Sequence, residues 1–198
     1  MAAFNMPHRE IQDPPLARFL FSDTRMAWFW LIVRVYLGYQ WLTSGWGKLT
    51  PAWMDGGEAL KGFWERAVAM PESGRPPIAF DWYRGFIQFM LDAGAYTWFA
   101  KLIVFGEILI GIGLILGAFV GIAAFFGGLL NWNFIMAGTA STNALLFTLA
   151  ILLMLAWKTA GHYGLDRYLL PMLGTPWKSE TTAKGNGSME GKLAGRSA

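Results

Sequence analysis

The sequence contains no cysteine and only two histidines, and these absences exclude several kinds of site. Without cysteine there is no disulfide, no thiol nucleophile, no thiolate-bound iron–sulfur cluster or zinc, and no CxxCH haem attachment. His8 and His162 both lie outside the apolar stretches, so a haem held between two histidines in a helix bundle is not expected. We therefore expect no haem, iron–sulfur or metal cofactor, and any redox chemistry would need a diffusible cofactor or one carried by a partner.

Charged residues are also scarce. They make up 15% of the 198 residues, against 55% hydrophobic residues, and the mean hydropathy is +0.36. This composition is too apolar for an ordinary soluble domain of this length and indicates a protein in contact with the lipid bilayer. The net charge of +3 is small and its basic residues are spread over loops and tails, so nucleic acid is not an expected partner.

Long apolar stretches predict the fold class, an all-α membrane protein built as a four-transmembrane-helix bundle. About twenty helical residues cover a hydrocarbon core ~30 Å thick. The stretches that meet or approach this length are residues 26–48, 97–116, 119–137 and 143–159. We expect an N-terminal arm over residues 1–25, a membrane domain over 26–170 and a flexible tail over 171–198, because the tail is rich in small and polar residues.

The distribution of basic residues predicts the orientation. Four spans put both termini on one side, and nine of the sixteen Lys and Arg residues lie on that side, eight of them beyond the spans and Lys158 at the end of the fourth span. Positive residues are enriched in cytoplasmic segments. We therefore predict an integral membrane protein with both termini cytoplasmic. We expect the membrane to be that of a prokaryotic cell.

The loop over residues 49–96 is too apolar for a simple connector and contains two amphipathic segments. In the first, apolar residues recur at helical spacing from Leu60 through Trp64 to Val68, and in the second, which starts near Asp81, they recur from Tyr83 to Met90. Both predict interfacial helices. These helices either cap the outer mouth of the bundle or serve only as lipid anchors.

Arg34 and Glu107 each lie inside a predicted span, where an ionisable side chain is costly and usually faces a partner, a cavity or a ligand. An Arg–carboxylate pair would neutralise both charges. One interpretation is that the pair only locks the first two spans together. The other is that it borders a cavity, where Arg34 binds an anion or a quinone carbonyl and Glu107 takes or gives protons, which makes these two the candidate catalytic residues.

Further polar and aromatic residues accompany this pair. Their estimated depths place them toward one side of the bundle, which suggests a polar funnel above Arg34 and Glu107. The candidate substrate- or quinone-binding residues are Gln40, Trp41, Lys48, Asn131 and Asn133. Each amide could instead bridge helices, which is the commoner role of Asn in a membrane bundle, and Trp41 could serve packing alone.

The order and spacing of these residues resemble the DoxX/DoxD family. The matching features are Arg34-x3-Gly38-x2-Trp41-x3-Gly45-x2-Lys48-Leu49, then Glu107, then Asn131-x-Asn133 with Gly138, then Gly164-Leu165-Asp166. The resemblance covers about residues 26–167. It implies a small four-helix membrane protein with a quinone-linked redox role, since the namesake of the family belongs to a membrane thiosulfate:quinone oxidoreductase and other members are accessory subunits of redox complexes.

The resemblance implies that Arg34 and Lys48 meet an anionic sulfur substrate or a quinone oxygen, and that Glu107 handles protons. Two functions remain open. One is a quinone-dependent oxidoreductase, with thiosulfate as the candidate substrate, or the membrane subunit of such an enzyme. The other is a non-catalytic scaffold or anchor subunit of a larger redox complex. A transporter is less favoured, because four spans without an internal repeat would need to oligomerise to build a pathway.

Overall fold

The computed structural model describes residues 13–174, and every regular element in that part of the chain is helical. In chain order the helices are α1 (Pro15–Ser22), α2 (Ala27–Gly47), α3 (Pro51–Met54), α4 (Glu58–Val68), α5 (Asp81–Asp92), α6 (Tyr96–Leu116), α7 (Val120–Met136), α8 (Asn143–Leu155), α9 (Trp157–Ala160) and α10 (Asp166–Met172). A 3-10 turn, Thr24–Met26, joins α1 to α2. The predicted arm before residue 13 and the predicted tail after residue 174 lie outside the described residues.

Helices occur at all four predicted spans. The limits of α2, α6 and α7 agree with the predicted limits to within one residue. The fourth stretch, predicted as one helix over 143–159, is instead divided at Ala156 into α8 and α9. The Thr159 hydroxyl donates to the Phe21 carbonyl oxygen at 2.7 Å, so α9 is held by a contact with the end of α1 that local sequence does not reveal.

One helix in the described part of the chain, α6, is by itself long and apolar enough to cross a membrane. It has 21 residues, and an 18-residue window within it has a mean hydropathy of 2.3. Two others, α7 and α8, are apolar but have only 17 and 13 residues. The helix α2 is as long as α6, but Arg34, Gln40 and its tryptophans make it less apolar. The expected all-helical fold is thus present in the described residues, and α6 is their one clearly apolar span.

The helices α2 and α6 pack closely and run antiparallel, since Arg34 lies beside Leu114 while Gly45 lies beside Ile108. A Cβ atom added to Gly111 would lie 2.6 Å from the backbone nitrogen of Leu42, so only glycine permits this approach. Small residues of this kind let helices in membranes come into backbone contact. These contacts fix the axial register of α2 against α6, and this register decides which polar side chains meet.

Both predicted amphipathic segments form helices, α4 and α5, and they pack against α6 and the end of α7. Their buried apolar residues include Leu60 and Trp64 of α4 and Tyr83 and Ile87 of α5. These side chains form a core with Ile103 and with other small and aromatic residues. A separate core lies among α2, α6, α7, α8 and α9. The loop therefore contributes to the folded domain rather than only connecting two helices.

Contacts divide the chain into two compact units, Met1–Asp166 and Arg167–Ala198. The first contains every feature that follows. In the second, the described part comprises the remainder of α10, which includes Pro171, and the residues up to 174.

Candidate functional site

Glu107 lies on the buried face of α6 and its carboxylate binds Lys48. The Lys48 ammonium donates to both carboxylate oxygens, at 2.6 and 2.8 Å, and also donates to the Ser44 hydroxyl at 2.6 Å. Glu107 is fully buried, whereas the Lys48 side chain is 20% exposed. The approach depends on Gly45, because a Cβ there would lie 3.0 Å from the Glu107 Cβ atom.

Arg34 does not pair with Glu107, so the expected ion pair between them is wrong. Its guanidinium donates to three backbone carbonyl oxygens: Leu114 at 2.6 Å, Ile115 at 3.0 Å and Tyr163 at 3.2 Å. The first two belong to the last turn of α6, whose carbonyls lack partners within the helix and carry partial negative charge. Arg34 therefore locks α2 to α6, as one interpretation of the sequence holds, but it does so through the backbone.

Asp166 performs the opposite capping role at the start of α7. Its carboxylate accepts hydrogen bonds from the backbone N–H groups of Phe119 at 2.6 Å and Val120 at 2.9 Å. Burial raises the pKa of the Asp166 carboxyl above its usual value, while the two N–H donors and the charge of Arg34 act in the opposite direction. We call Arg34 and Asp166 the capping cluster, because their charges complement the two helix ends that meet at the α6–α7 turn.

A cavity of about 360 Å³ lies among α2, α6, α7 and the start of α8. Its walls carry hydroxyl, amide and carboxylate groups and a few apolar side chains. The lining residues are Gln40, Trp41, Thr43, Ser44, Glu107, Asn131, Phe134, Thr142, Asn143 and Leu146. A cavity of this size and polarity can accommodate a small ring or anion that makes several hydrogen bonds.

Asn131 is the least satisfied polar residue of this cavity. It is fully buried, and among residues 13–174 neither its Nδ2 nor its Oδ1 has a hydrogen-bond partner. The Nε1 of Trp41, which is also in the cavity wall, likewise lacks a hydrogen-bond partner among residues 13–174. An unsatisfied buried polar group costs about 1–3 kcal/mol, so native proteins rarely keep one without a reason. We call Ser44, Lys48, Glu107 and Asn131 the cavity cluster.

The structure brings together most, but not all, of the candidate site residues. Gln40, Trp41, Glu107 and Asn131 line one cavity, and Lys48 binds Glu107 at its edge. Arg34 lies at the capping cluster instead.

Asn133 is directed away from this cavity. Its Nδ2 donates to the Leu129 carbonyl oxygen at 2.7 Å, and its Oδ1 accepts from the Tyr83 hydroxyl at 3.0 Å. Side chains two residues apart on an α-helix differ in direction by about 200° around the helix axis. Asn131 and Asn133 therefore cannot face the same cavity. Ser44 was missed as a site residue, although its position one turn before Lys48 on α2 could have indicated it.

Comparison with known proteins gives one match. The DoxX family model matches residues 29–140, more than half of the 198-residue chain. The matched region includes the whole cavity cluster and Arg34 but ends before Asp166. No curated protein and no solved structure matches the chain. The chain belongs to the DoxX family of membrane proteins.

Proposed function

We propose that the protein is a four-span membrane protein that binds the head group of a quinone in the cavity of Glu107 and Asn131 and has a quinone-linked redox role. The spans are α2, α6, α7 and the combined α8 and α9. Support comes from the apolar composition of these helices and their agreement with the predicted spans. Both termini are cytoplasmic in this proposal, because the basic residues outside the spans favour that side.

The unpartnered amide of Asn131 is the observation that carries the proposal. An amide offers both a donor, Nδ2, and an acceptor, Oδ1, so it can bind a quinone carbonyl and also the hydroxyl of the reduced form. The unpartnered Trp41 Nε1 adds a second donor in the same cavity. A bound quinone supplies a reversible two-electron, two-proton couple.

Glu107 and Lys48 are suited to proton handling beside that head group. The attraction between the Glu107 carboxylate and the Lys48 ammonium opposes protonation of the carboxylate. A change of charge in the cavity alters this balance, and the pair can then take up or release a proton. Gln40 and Thr43 extend the polar wall from this pair. Arg34 takes no part in this proposal, because it lies outside the cavity lining and both of its terminal nitrogens already bind backbone carbonyls.

Binding of a short-tailed benzoquinone to the purified full chain tests the proposal, and Asn131 and Asn133 offer a matched pair of variants. Asn131→Leu should weaken binding about tenfold, since it removes hydrogen bonds to the ligand. Asn133→Leu should leave the affinity unchanged, because that amide faces the other side of α7. Equal affinities for the wild type and Asn131→Leu would refute a head-group site in this cavity.

An assay of quinone turnover distinguishes a catalytic role from that of an accessory or scaffold subunit. The family resemblance points to thiosulfate as electron donor, so quinone reduction by thiosulfate in proteoliposomes should be lost in Glu107→Gln if the chain is catalytic. Quinone binding without turnover, together with stable co-purification of another redox protein, would instead favour an accessory or scaffold subunit.

The lack of cysteine gives a direct test of the four-span topology. Single cysteines at Asp13, Ser73, Ala118 and Ala140 sample the N-terminal segment and the loops that follow α4, α6 and α7. A membrane-impermeant maleimide should label Ser73→Cys and Ala140→Cys from one side, and Asp13→Cys and Ala118→Cys only from the other. Labelling of all four from one side would refute four crossings.

A further inference from the structure

A second cavity, of about 400 Å³, lies among α4, α5, α6 and α7, on the opposite side of α7 from Asn131. Its walls are almost entirely aliphatic and aromatic. They include Phe63 and Trp64 of α4, Ile87 and Met90 of α5, and Phe134 of α7. Protein interiors are close-packed, and a space this large is not an ordinary packing defect.

The polar side chains in this cavity bind each other rather than offering hydrogen bonds. The Tyr83 hydroxyl donates to the Asn133 Oδ1 at 3.0 Å, and the Asn133 Nδ2 donates to the Leu129 carbonyl. Burial raises the pKa of Tyr83 to about 12, so its hydroxyl keeps the proton that it donates. Apolar cavities of this kind exclude water and bind apolar molecules. In contrast to the cavity of the unpartnered Asn131, this cavity therefore suits an apolar group that makes no hydrogen bonds.

The mouth of the cavity opens on the outer faces of α6 and α7. Leu102 and Leu109 of α6 and Phe126 and Leu129 of α7 line the cavity and are also exposed, by 42–68%. In a membrane protein the outer face of an apolar helix such as α6 contacts lipid. The ligand that has most access to this mouth is therefore a hydrocarbon chain.

We propose that this cavity binds a hydrocarbon chain that enters sideways from the bilayer between α6 and α7. The chain packs against Trp64, Ile87 and Phe134, while the Tyr83–Asn133 hydrogen bond closes the polar part of the wall. A phospholipid acyl chain and the prenyl tail of a quinone share this chemistry. The proposal does not depend on head-group binding beside Asn131.

Gly106 provides a variant that fills the cavity without disturbing its walls. It lines the cavity on α6, and a Cβ atom added to it would meet no atom within 4 Å. Gly106→Leu should therefore fold and occupy space that the chain would fill. Gly85→Leu is the matched control, because Gly85 is also helical and a Cβ there also meets open space, but it is outside the cavity lining.

The experiment uses full-length protein in vesicles of phosphatidylcholine that carries a photoreactive diazirine in one acyl chain. Adducts are expected on the buried residues Trp64 and Ile87 of the wild type and of Gly85→Leu, and about tenfold fewer on Gly106→Leu. The added leucine side chain has four carbon atoms, and losing the burial of about two methylene groups of the bound chain already weakens binding about tenfold. Adducts on the exposed Ile112, outside the cavity, should be equal in all three proteins.

A second variant and a second measurement keep the result decisive. Leu102→Trp narrows the mouth at an exposed position and should lower labelling of Trp64 even if Gly106→Leu folds poorly. Mass spectrometry of lipids retained after purification then distinguishes a phospholipid from a prenylquinone, either of which should be lost in Gly106→Leu. Equal labelling of Trp64 and Ile87 in the wild type, Gly106→Leu and Leu102→Trp would overturn the proposal, as would its absence from the wild type.

Discussion

Two clusters of charged side chains lie at different levels along the antiparallel helices α2 and α6, and they differ in the groups to which they hydrogen-bond. In the capping cluster, Arg34 and Asp166 bind backbone carbonyls and N–H groups at the ends of α6 and α7. In the cavity cluster, Lys48 and Glu107 bind each other, and nearby Asn131 has two polar atoms without partners among the described residues.

The difference shows that residue type alone does not identify a functional charge in a membrane helix. From the sequence alone, Arg34 and Glu107 fit a structural role and a functional role equally well. What separates them is whether the group borders a cavity and how much of its hydrogen-bonding capacity is already used. Among the described residues Arg34 has a partner for both terminal nitrogens and lacks one only at Nε, whereas Asn131 in the cavity wall has none at either polar atom. A cluster that bonds mainly to the backbone and borders no cavity can stabilise the fold but has little to offer a ligand, whereas one with unpartnered groups beside a cavity can bind a ligand.

Replacing Arg34 with alanine has the largest expected effect on stability. It removes three hydrogen bonds and leaves the Leu114 carbonyl buried without its donor, so the free energy of unfolding should fall by roughly 3–5 kcal/mol. Unfolding in mixed micelles measures this. Arg25→Ala, at an exposed arginine paired with Asp23, is the control and should leave stability nearly unchanged. Similar losses in the two variants would contradict a structural role for Arg34.

Replacing Lys48 with methionine should be the next most costly change. It leaves the Glu107 carboxylate buried without its cation, and the loss should be about 3 kcal/mol. Adding Glu107→Gln to the same protein removes the stranded charge and should restore most of that stability. A double-mutant cycle on the free energy of unfolding checks this, and strictly additive losses would show that the two side chains do not interact.

The two asparagines should have smaller effects of opposite sign. Asn131→Leu removes two unsatisfied polar atoms and should raise the free energy of unfolding by about 1 kcal/mol, whereas Asn133→Leu breaks the bonds to Tyr83 and Leu129 and should lower it by about 1 kcal/mol. Thermal unfolding of the ligand-free proteins measures both. Equal destabilisation by the two changes would mean that Asn131 has a structural partner after all.

The helices could be predicted from the sequence because the length and the periodicity of apolar stretches are local properties. The same periodicity separates Asn131 from Asn133, since two residues cover about 200° of helical rotation, but it cannot tell which face meets a cavity. The break at Ala156 was not predictable from local signals, because neither proline nor glycine marks it and its cause includes the Thr159 contact with Phe21.

The partner of Glu107 required knowledge of helix register. Arg34 of α2 and Lys48, the residue that directly follows α2, lie on one stripe about 21 Å apart along the helix axis. From the sequence, either could neutralise an acidic residue on α6. The close contacts at Gly45 and Gly111 fix the register that selects Lys48. The partners of Arg34 are backbone carbonyls. Because every residue has one, the sequence does not indicate which carbonyls Arg34 binds, and only the folded structure shows its capping role.

The central claim is that ligand binding belongs to the cavity cluster and not to the capping cluster. The most direct test is the dissociation constant of a short-tailed benzoquinone for the folded wild type, Asn131→Leu and Asp166→Asn. Asp166→Asn keeps one capping oxygen and should bind as the wild type does, while Asn131→Leu should bind about tenfold more weakly. Unchanged affinity in Asn131→Leu, or an equal loss in Asp166→Asn, would contradict this account.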